Sequence, residues 1–385
     1  MIASSEFLNV CKQEGYTLFA GTPCSYLKPF INTVIDDEEL DFVETTNEGD
    51  AVALSSGAWL AGQKSVVMFQ NSGLGNAVNP ITSLSYTLKT PFIGICTLRG
   101  EPGGPSDEPQ HELMGQITTD LLDLMKVGWS YFPTLSHEIS TAFEKAQKFI
   151  EEHERPYFFV MKKSSVAPYE LQHKFDERKV ENYTTTIHRN AETELSASRT
   201  EALKTIKSYF DDKGPIIATT GKTGRELFEI EDTANQLYMV GSMGCALPIG
   251  LGIKKAGYEK PVCVIDGDGA LLMRLGNIVL PKQLKTKGIV HIVLDNGVHD
   301  STGGQETFSD SVDFAEIAKA SGYDYVAELS SLEDLPKAFD QITSSNINGF
   351  IRFLIKPGSP KDLGRPTVTP DEVAKRLKVY LMETK

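Results

Sequence analysis

Short apolar runs alternate with helical patterns along the whole chain. In the first half, apolar runs at 16–20, 42–44, 66–69, 92–97 and 157–161 predict strands. Helices are predicted between and after them at 25–35, 48–61, 75–88, 111–125 and 137–152. The second half repeats the alternation, with strands predicted at 216–220, 237–240, 262–265, 289–294, 325–327 and 349–355. Its helices are predicted at 199–210, 224–230, 246–256, 270–284, 312–321, 332–341 and 370–382. Strands alternating with helices predict parallel sheets covered on both faces. The fold class is therefore α/β, with two parallel-sheet domains of similar size at 1–163 and 199–385 and no close sequence repeat. The stretch 164–198 is polar and loses the pattern, so it reads as a linker.

Composition narrows the partners. The formal net charge is −14 over 385 residues, which argues against nucleic acid or an anionic membrane as the main partner. An anionic substrate would then need a local positive site. The five cysteines, Cys11, Cys24, Cys96, Cys245 and Cys263, are odd in number and form no CxxC. Neither a disulfide framework nor a zinc site is expected, and a reducing compartment is. The start, Met1 to Glu6, lacks the basic residues of a signal peptide. No apolar run approaches the roughly 18–20 residues of a membrane span. A cytoplasmic location is expected.

The chemically loaded residues of the second half sit just after predicted strands: 219–222, 241–244, 267–269 and 295–297. Ligands of open α/β sheets bind at the carboxyl ends of strands. The run Val262–Ile265 ends in Asp266-Gly267-Asp268-Gly269, followed by a helical pattern. Glycines allow close backbone approach, and a helix start offers free N–H groups to an anion. Two carboxylates would repel a bare phosphate, but Mg²⁺ is held by one or two carboxylates plus substrate phosphates. An EF-hand is excluded, because Leu271 occupies the slot that requires glycine. Asp268 and Asn296 lie one strand–helix–strand unit apart, so both reach one sheet edge and offer hard oxygens suited to Mg²⁺.

This Gly-Asp-Gly turn with an asparagine about one unit later resembles the diphosphate-binding motif of thiamine diphosphate enzymes. The resemblance implies Asp268, Asn296 and the backbone carbonyl of Val298 as Mg²⁺ ligands. It implies Met243, in Gly241-Ser242-Met243-Gly244, as the bulky residue beneath a bent cofactor. The first half then becomes the pyrimidine-binding domain and the second the diphosphate-binding domain, without a middle domain. Glu48 becomes the carboxyl that shares a proton with the aminopyrimidine ring. Further cofactor contacts are implied for Thr220, Gly221, Lys222, Ser242, Gly269, Ala270 and His299.

Three longer segments, 99–111, 220–227 and 295–305, together with 241–243, resemble the phosphonopyruvate decarboxylases, with sulfopyruvate decarboxylases as close relatives. Together they span both domains. The resemblance implies a carboxy-lyase of phosphonate biosynthesis that acts on a small anionic 2-keto acid, with thiamine diphosphate and Mg²⁺ as cofactors. Ser25, Asn71, Ser72, Arg99 and His111 are candidates for substrate contact. His111 or His299 is the candidate proton donor, Ser25 sits after the first strand on the substrate side, and Lys222 could serve either anion. A homodimer or dimer of dimers, with active sites at the interface, is implied. A thiamine diphosphate-binding protein without catalysis is the remote alternative.

Overall fold

The structure is a computed structural model, and it describes residues 1–175, 183–191 and 195–385. The chain forms two compact units, Met1–Lys179 and Val180–Lys385.

In the first unit the strands are β1 (Tyr16–Gly21), β2 (Asp41–Glu44), β3 (Lys64–Gln70), β4 (Ile93–Thr97), β5 (Gly128–Tyr131) and β6 (Tyr157–Met161). They form one parallel sheet in the order β2-β1-β3-β4-β6-β5. Its central strands β4 and β6 are buried along their whole length, as expected of a sheet sandwiched between helices. One face carries an aromatic cluster. Phe7, on the helix Ser4–Gln13, lies 4.7–5.8 Å from the rings of Phe30, Phe132, Phe143 and Phe159. Phe7 is fully buried. Phe7→Ala is therefore expected to destabilise the unit by about 3–5 kcal/mol, measured as a lower midpoint in urea.

In the second unit the strands are β7 (Ile187–Asn190), β8 (Ile216–Ala218), β9 (Gln236–Tyr238), β10 (Val262–Gly267), β11 (Ile289–Asp295), β12 (Val298–His299), β13 (Gln305–Glu306), β14 (Tyr325–Leu329) and β15 (Gly349–Leu354). Seven form a sheet in the order β7-β14-β15-β11-β10-β8-β9, and β12 and β13 make a separate antiparallel pair. Read from β9, this order repeats that of the first sheet, with β7 added at the far edge. One topology thus recurs in two units whose sequences show no close repeat. In each, the winding direction reverses between β1 and β3, and between β8 and β10, and again at the far end, where β6 inserts beside β4 and β15 beside β11. The crevice outside the strand ends at such a reversal is where open α/β sheets bind ligands.

The structure departs from the sequence expectation in several places. The predicted helix at 75–88 is split into a 3₁₀ turn (Asn71–Gly73), a short α-helix (Leu74–Asn79), a π-helical stretch (Pro80–Ser85) and one more turn (Tyr86–Leu88). Pro80 lacks the N–H that an unbroken ladder needs, so the chain widens there. The predicted helix at 270–284 likewise breaks after Met273, at Arg274 (φ −137°, ψ 43°), and continues as 3₁₀ turns and a short helix. The edge strand β5 was not anticipated, being short with only two of its four residues aromatic. Finally, 164–198 contains β7, paired in parallel with β14. Its side chains are mostly exposed, so no apolar pattern marks it. It is held at the edge by Arg189, which pairs with Glu328 at 2.8 Å and with Asp313. Among the described residues, no helix is long and apolar enough to cross a membrane.

Candidate active site

The second unit brings its loaded turns to one sheet edge. In the register of β10 against β11, Gly267 pairs with Leu294. Asp268 and Asn296 therefore leave the sheet side by side. Asp268 is buried and accepts a hydrogen bond from the Thr307 hydroxyl. The Thr307 N–H in turn donates to the Gly297 carbonyl at 2.8 Å, closing the Asp268 turn against the Asn296 turn. Burial pushes the Asp268 carboxyl above its ordinary value, and the nearby charge of Asp295 adds to the push. A nearby cation favours the charged form of such a buried carboxyl.

Asp295 is differently placed. It is buried and tied to the Arg352 guanidinium, at 2.8 Å to Nε and 2.7 Å to Nη2. It is thus spent inside the protein, and Asn296 is left as the oxygen donor at this strand end. The Asn296 amide donates from Nδ2 to Asp300 at 2.7 Å. Asp300 is itself paired with Arg199, whose other nitrogen meets Glu226 at 2.9 Å. No group of three His, Cys, Asp or Glu side chains among the described residues could hold a metal ion. A divalent cation here would have to draw on one carboxylate, one amide oxygen and one backbone carbonyl. Asp268, Asn296 and Val298 of β12 fit that hard-oxygen set.

The neighbouring turns fit a phosphate-bearing cofactor. Gly269 packs against His299: a Cβ there would lie 2.6 Å from the imidazole Cε1. Gly221 adopts φ +94° at the start of the helix Lys222–Ile230. The Thr220 hydroxyl accepts the Gly241 N–H at 3.0 Å, joining the turns after β8 and β9. Ser242 is left-handed (φ +48°), and Met243 beside it is half-buried. A Cβ on Gly244 would lie 2.7 Å from the carbonyl of buried Ala270, so the 241–244 turn lies against the Asp268 helix. Lys222 is half-buried and has no ion-pair partner among the described residues.

In the first unit, Glu48 opens the helix Glu48–Leu60, which follows β2 and is capped by Asn47 accepting the Gly49 N–H at 2.8 Å. This helix is buried on nearly every side, and its start is correspondingly fixed. Both Glu48 oxygens are held: the Thr22 hydroxyl donates to Oε1 at 3.0 Å and the Asn76 amide to Oε2 at 2.8 Å. Gly73 backs the carboxyl so closely that a Cβ there would overlap it. Gly73 has φ −77°, which any residue adopts. Gly73→Ala is therefore expected to displace the carboxylate and lower kcat by more than tenfold (about 1.4 kcal/mol), while the thermal midpoint moves little.

The other first-unit candidates gather around Arg99. Its guanidinium grips Asp107 through two nitrogens, Nε at 2.6 Å, and lies 4.8 Å from the centre of the Tyr26 ring. The grip holds the Asp107 carboxyl well below the usual carboxylate range and raises Arg99. Nη1 still reaches Ser25 Oγ at 3.2 Å. Ser72 is exposed and accepts from Gln70 at 2.7 Å. Asn71 faces inward instead: it is buried and donates to the Arg99 carbonyl at 2.9 Å and to Thr118 at 3.0 Å. Its amide therefore positions the Arg99 backbone. His111 is buried, and its Nδ1 has no hydrogen-bond partner.

Sequence reasoning missed Thr307, Asp300, Arg199 and Asp107. Asp107 and Asp300 lie within the resembling segments, but nothing local marks them as partners. Thr307 and Arg199 carry no sequence signal at all.

Residues 220–352 match the family described as thiamine pyrophosphate enzyme, C-terminal TPP binding domain. The chain is 41% identical over 384 residues to the phosphonopyruvate decarboxylase of Streptomyces viridochromogenes, covering 99% of this chain and 95% of that protein. It is 29% identical over 391 residues to the sulfopyruvate decarboxylase of Methanosarcina acetivorans, covering 97% and 96%. Among solved structures, benzoylformate decarboxylase from Polynucleobacter necessarius aligns with a TM-score of 0.72 at 13% identity, over 95% of this chain and 100% of that one. That likeness bears on the fold alone. The chain belongs to the phosphonopyruvate decarboxylase family, a family of thiamine diphosphate-dependent carboxy-lyases.

Proposed function

We propose that the chain decarboxylates 3-phosphonopyruvate to phosphonoacetaldehyde and CO₂ without oxidation, as a step of phosphonate biosynthesis. The observation that carries a catalytic reading over simple cofactor binding is the Glu48 carboxylate, clamped at both oxygens and backed by Gly73. Binding alone needs no such proton-holding group. Bound thiamine diphosphate supplies the sink for the electron pair that the departing carboxylate leaves behind.

The chain's own residues supply the rest. Asp268, Asn296 and the Val298 carbonyl hold Mg²⁺. Thr220, Gly221, Lys222, Gly269 and Ala270 would hold the diphosphate, Ser242 and Met243 would contact the rest of the cofactor, and His299 packs beside Gly269. Glu48 holds the proton that activates the cofactor. His111 or His299 delivers a proton to the product carbon, with transfer from a positioned imidazole contributing about 10²–10⁴-fold. Ser25, Ser72 and Arg99 orient the substrate, with Asn71 setting the Arg99 backbone. The enzyme works as a homodimer or a dimer of dimers, which sedimentation at assay concentration tests.

The likeness to the Methanosarcina acetivorans protein favours sulfopyruvate as a second reading. Comparing kcat/KM for the two keto acids separates them: 3-phosphonopyruvate is expected to be the better substrate, and turnover confined to sulfopyruvate would overturn the first choice.

A further inference from the structure

Of the cation ligands proposed above, Asn296 alone has a side chain with two chemically different ends. Its amide presents a carbonyl oxygen on one side and an NH₂ on the other. Only the oxygen can ligate a hard cation. A half-turn of the amide would put the NH₂ in its place with almost the same shape, so something outside the residue must choose between the two orientations.

Asp300 makes that choice. The Asn296 Nδ2 donates to Asp300 Oδ2 at 2.7 Å. The same oxygen accepts from Arg199 Nη2, and the Gly358 N–H lies 3.1 and 3.2 Å from the two Asp300 oxygens. A carboxylate paired with a guanidinium is ionised, and in that form it accepts hydrogen bonds and donates none. The amide must therefore turn its NH₂ towards Asp300. Its oxygen is left on the other side, where the Val298 N–H donates to it at 3.3 Å. One lone pair of that oxygen remains for a cation.

Asp300 is itself held from behind. The Arg199 side chain is buried, and so is that of Glu226. Arg199 Nη1 donates to Glu226 at 2.9 Å and to the Gly358 carbonyl at 3.3 Å. The Thr200 hydroxyl donates to the other Glu226 oxygen at 2.7 Å. Arg199 and Thr200 open the helix Arg199–Phe210, whose start is capped by Ser198. Glu226 lies on the helix Lys222–Ile230, and Gly358 follows β15. Three segments distant in sequence thus converge behind the Asn296 turn. Two carboxylates sharing one buried guanidinium are a poor source of net stability but can fix a single arrangement.

We propose that Asp300, anchored by Arg199, is a positioning residue for the cation: it orients the Asn296 amide so that the oxygen, and not the NH₂, faces Mg²⁺. The inference rests on the reading of Asn296 as a Mg²⁺ ligand. Asp300 acts through Asn296 and needs no contact with the cation, the cofactor or the substrate.

The test is calorimetric titration of the cation-free full chain with Mg²⁺ in the presence of thiamine diphosphate, with N296A as the reference for a lost ligand. D300A removes the acceptor and is expected to weaken Mg²⁺ binding about 10- to 100-fold, the usual effect of losing a residue that orients a metal ligand. D300L fills the space without offering an acceptor. It is expected to match D300A, and it serves in its place if the alanine variant does not fold. D300N gives up the charge but keeps an oxygen for the Asn296 amide, so it is expected to retain most of the affinity. Mg²⁺ affinity that D300A or D300L leaves intact while N296A lowers it overturns the positioning role and leaves the cation reading standing; a purely structural Asp300 would give this result, with only the thermal midpoint of the cation-free protein reduced. Equal losses in D300N and D300A also overturn it, because the charge of Asp300 and not its accepting oxygen would then matter. Cofactor binding indifferent to Mg²⁺ in the wild type, or Mg²⁺ binding indifferent to N296A, removes the cation reading and this inference with it.

Discussion

Replacing Glu48 with glutamine is expected to lower kcat for decarboxylation by about 10²–10⁴-fold, the span over which a positioned proton-transfer group acts. Glutamine matches the volume of glutamate, so the helix start and its Asn47 cap should survive. The chemistry does not. Both Glu48 oxygens now accept, one from Thr22 and one from Asn76. An amide can accept on one side only, so its NH₂ would face either the Asn76 amide donor or the Thr22 hydroxyl. It also cannot exchange a proton with a ring nitrogen at neutral pH. The check is steady-state CO₂ release alongside calorimetric cofactor affinity, with the first expected to fall far more than the second. Undiminished turnover in E48Q would remove the proton-holding role.

The second large effect is expected at Asp268. Asp268→Asn should weaken Mg²⁺-dependent binding of thiamine diphosphate by at least about 100-fold, because even residues that only support metal ligands cost 10–100-fold when lost. The same change should spare, or raise, the thermal midpoint of the protein without Mg²⁺. Burial holds the Asp268 carboxyl above its ordinary value, with Asp295 adding to the effect. A carboxyl raised in the folded state disfavours folding increasingly as pH rises above its ordinary value, with the full penalty reached once pH exceeds the raised folded value. The neutral amide removes that penalty and can still accept the Thr307 hydrogen bond. The cation-free variant should therefore melt above wild type near neutral pH, with the gap closing as pH falls through the raised value. Added Mg²⁺ and cofactor should reverse the order. Cofactor affinity indifferent to chelation would remove the metal assignment.

The Asp268 turn was legible in the sequence for a local reason, whereas Glu48 was singled out only through the family resemblance. A strand that ends in glycine and acid and is followed by a helix exposes that acid at the carboxyl edge of a parallel sheet, wherever the other strands lie. The alternation of apolar runs and helical patterns likewise sufficed for two α/β units, because a parallel strand buried on both faces carries its own signature. The break at Pro80 has a local cause too, since an interior proline removes a ladder hydrogen bond, but the predicted helix ran across it.

Other features depend on residues far apart in the chain. Asp268 meets Thr307 from 39 positions away, Arg199 meets Asp300 from 101, and Arg225 meets the Gly364 carbonyl from 139. The identical strand order of the two sheets, the seat of β7 at an edge, the inward turn of Asn71 and the neutralisation of Asp295 by Arg352 are of the same kind. Spacing along the sequence by itself determined which turns carry chemistry, because glycine, carboxylate and helix start act within a few residues of one another. Only the tertiary structure decided which of those charges are already paired and which still await a ligand, because the partners are brought together by strand order and not by the chain.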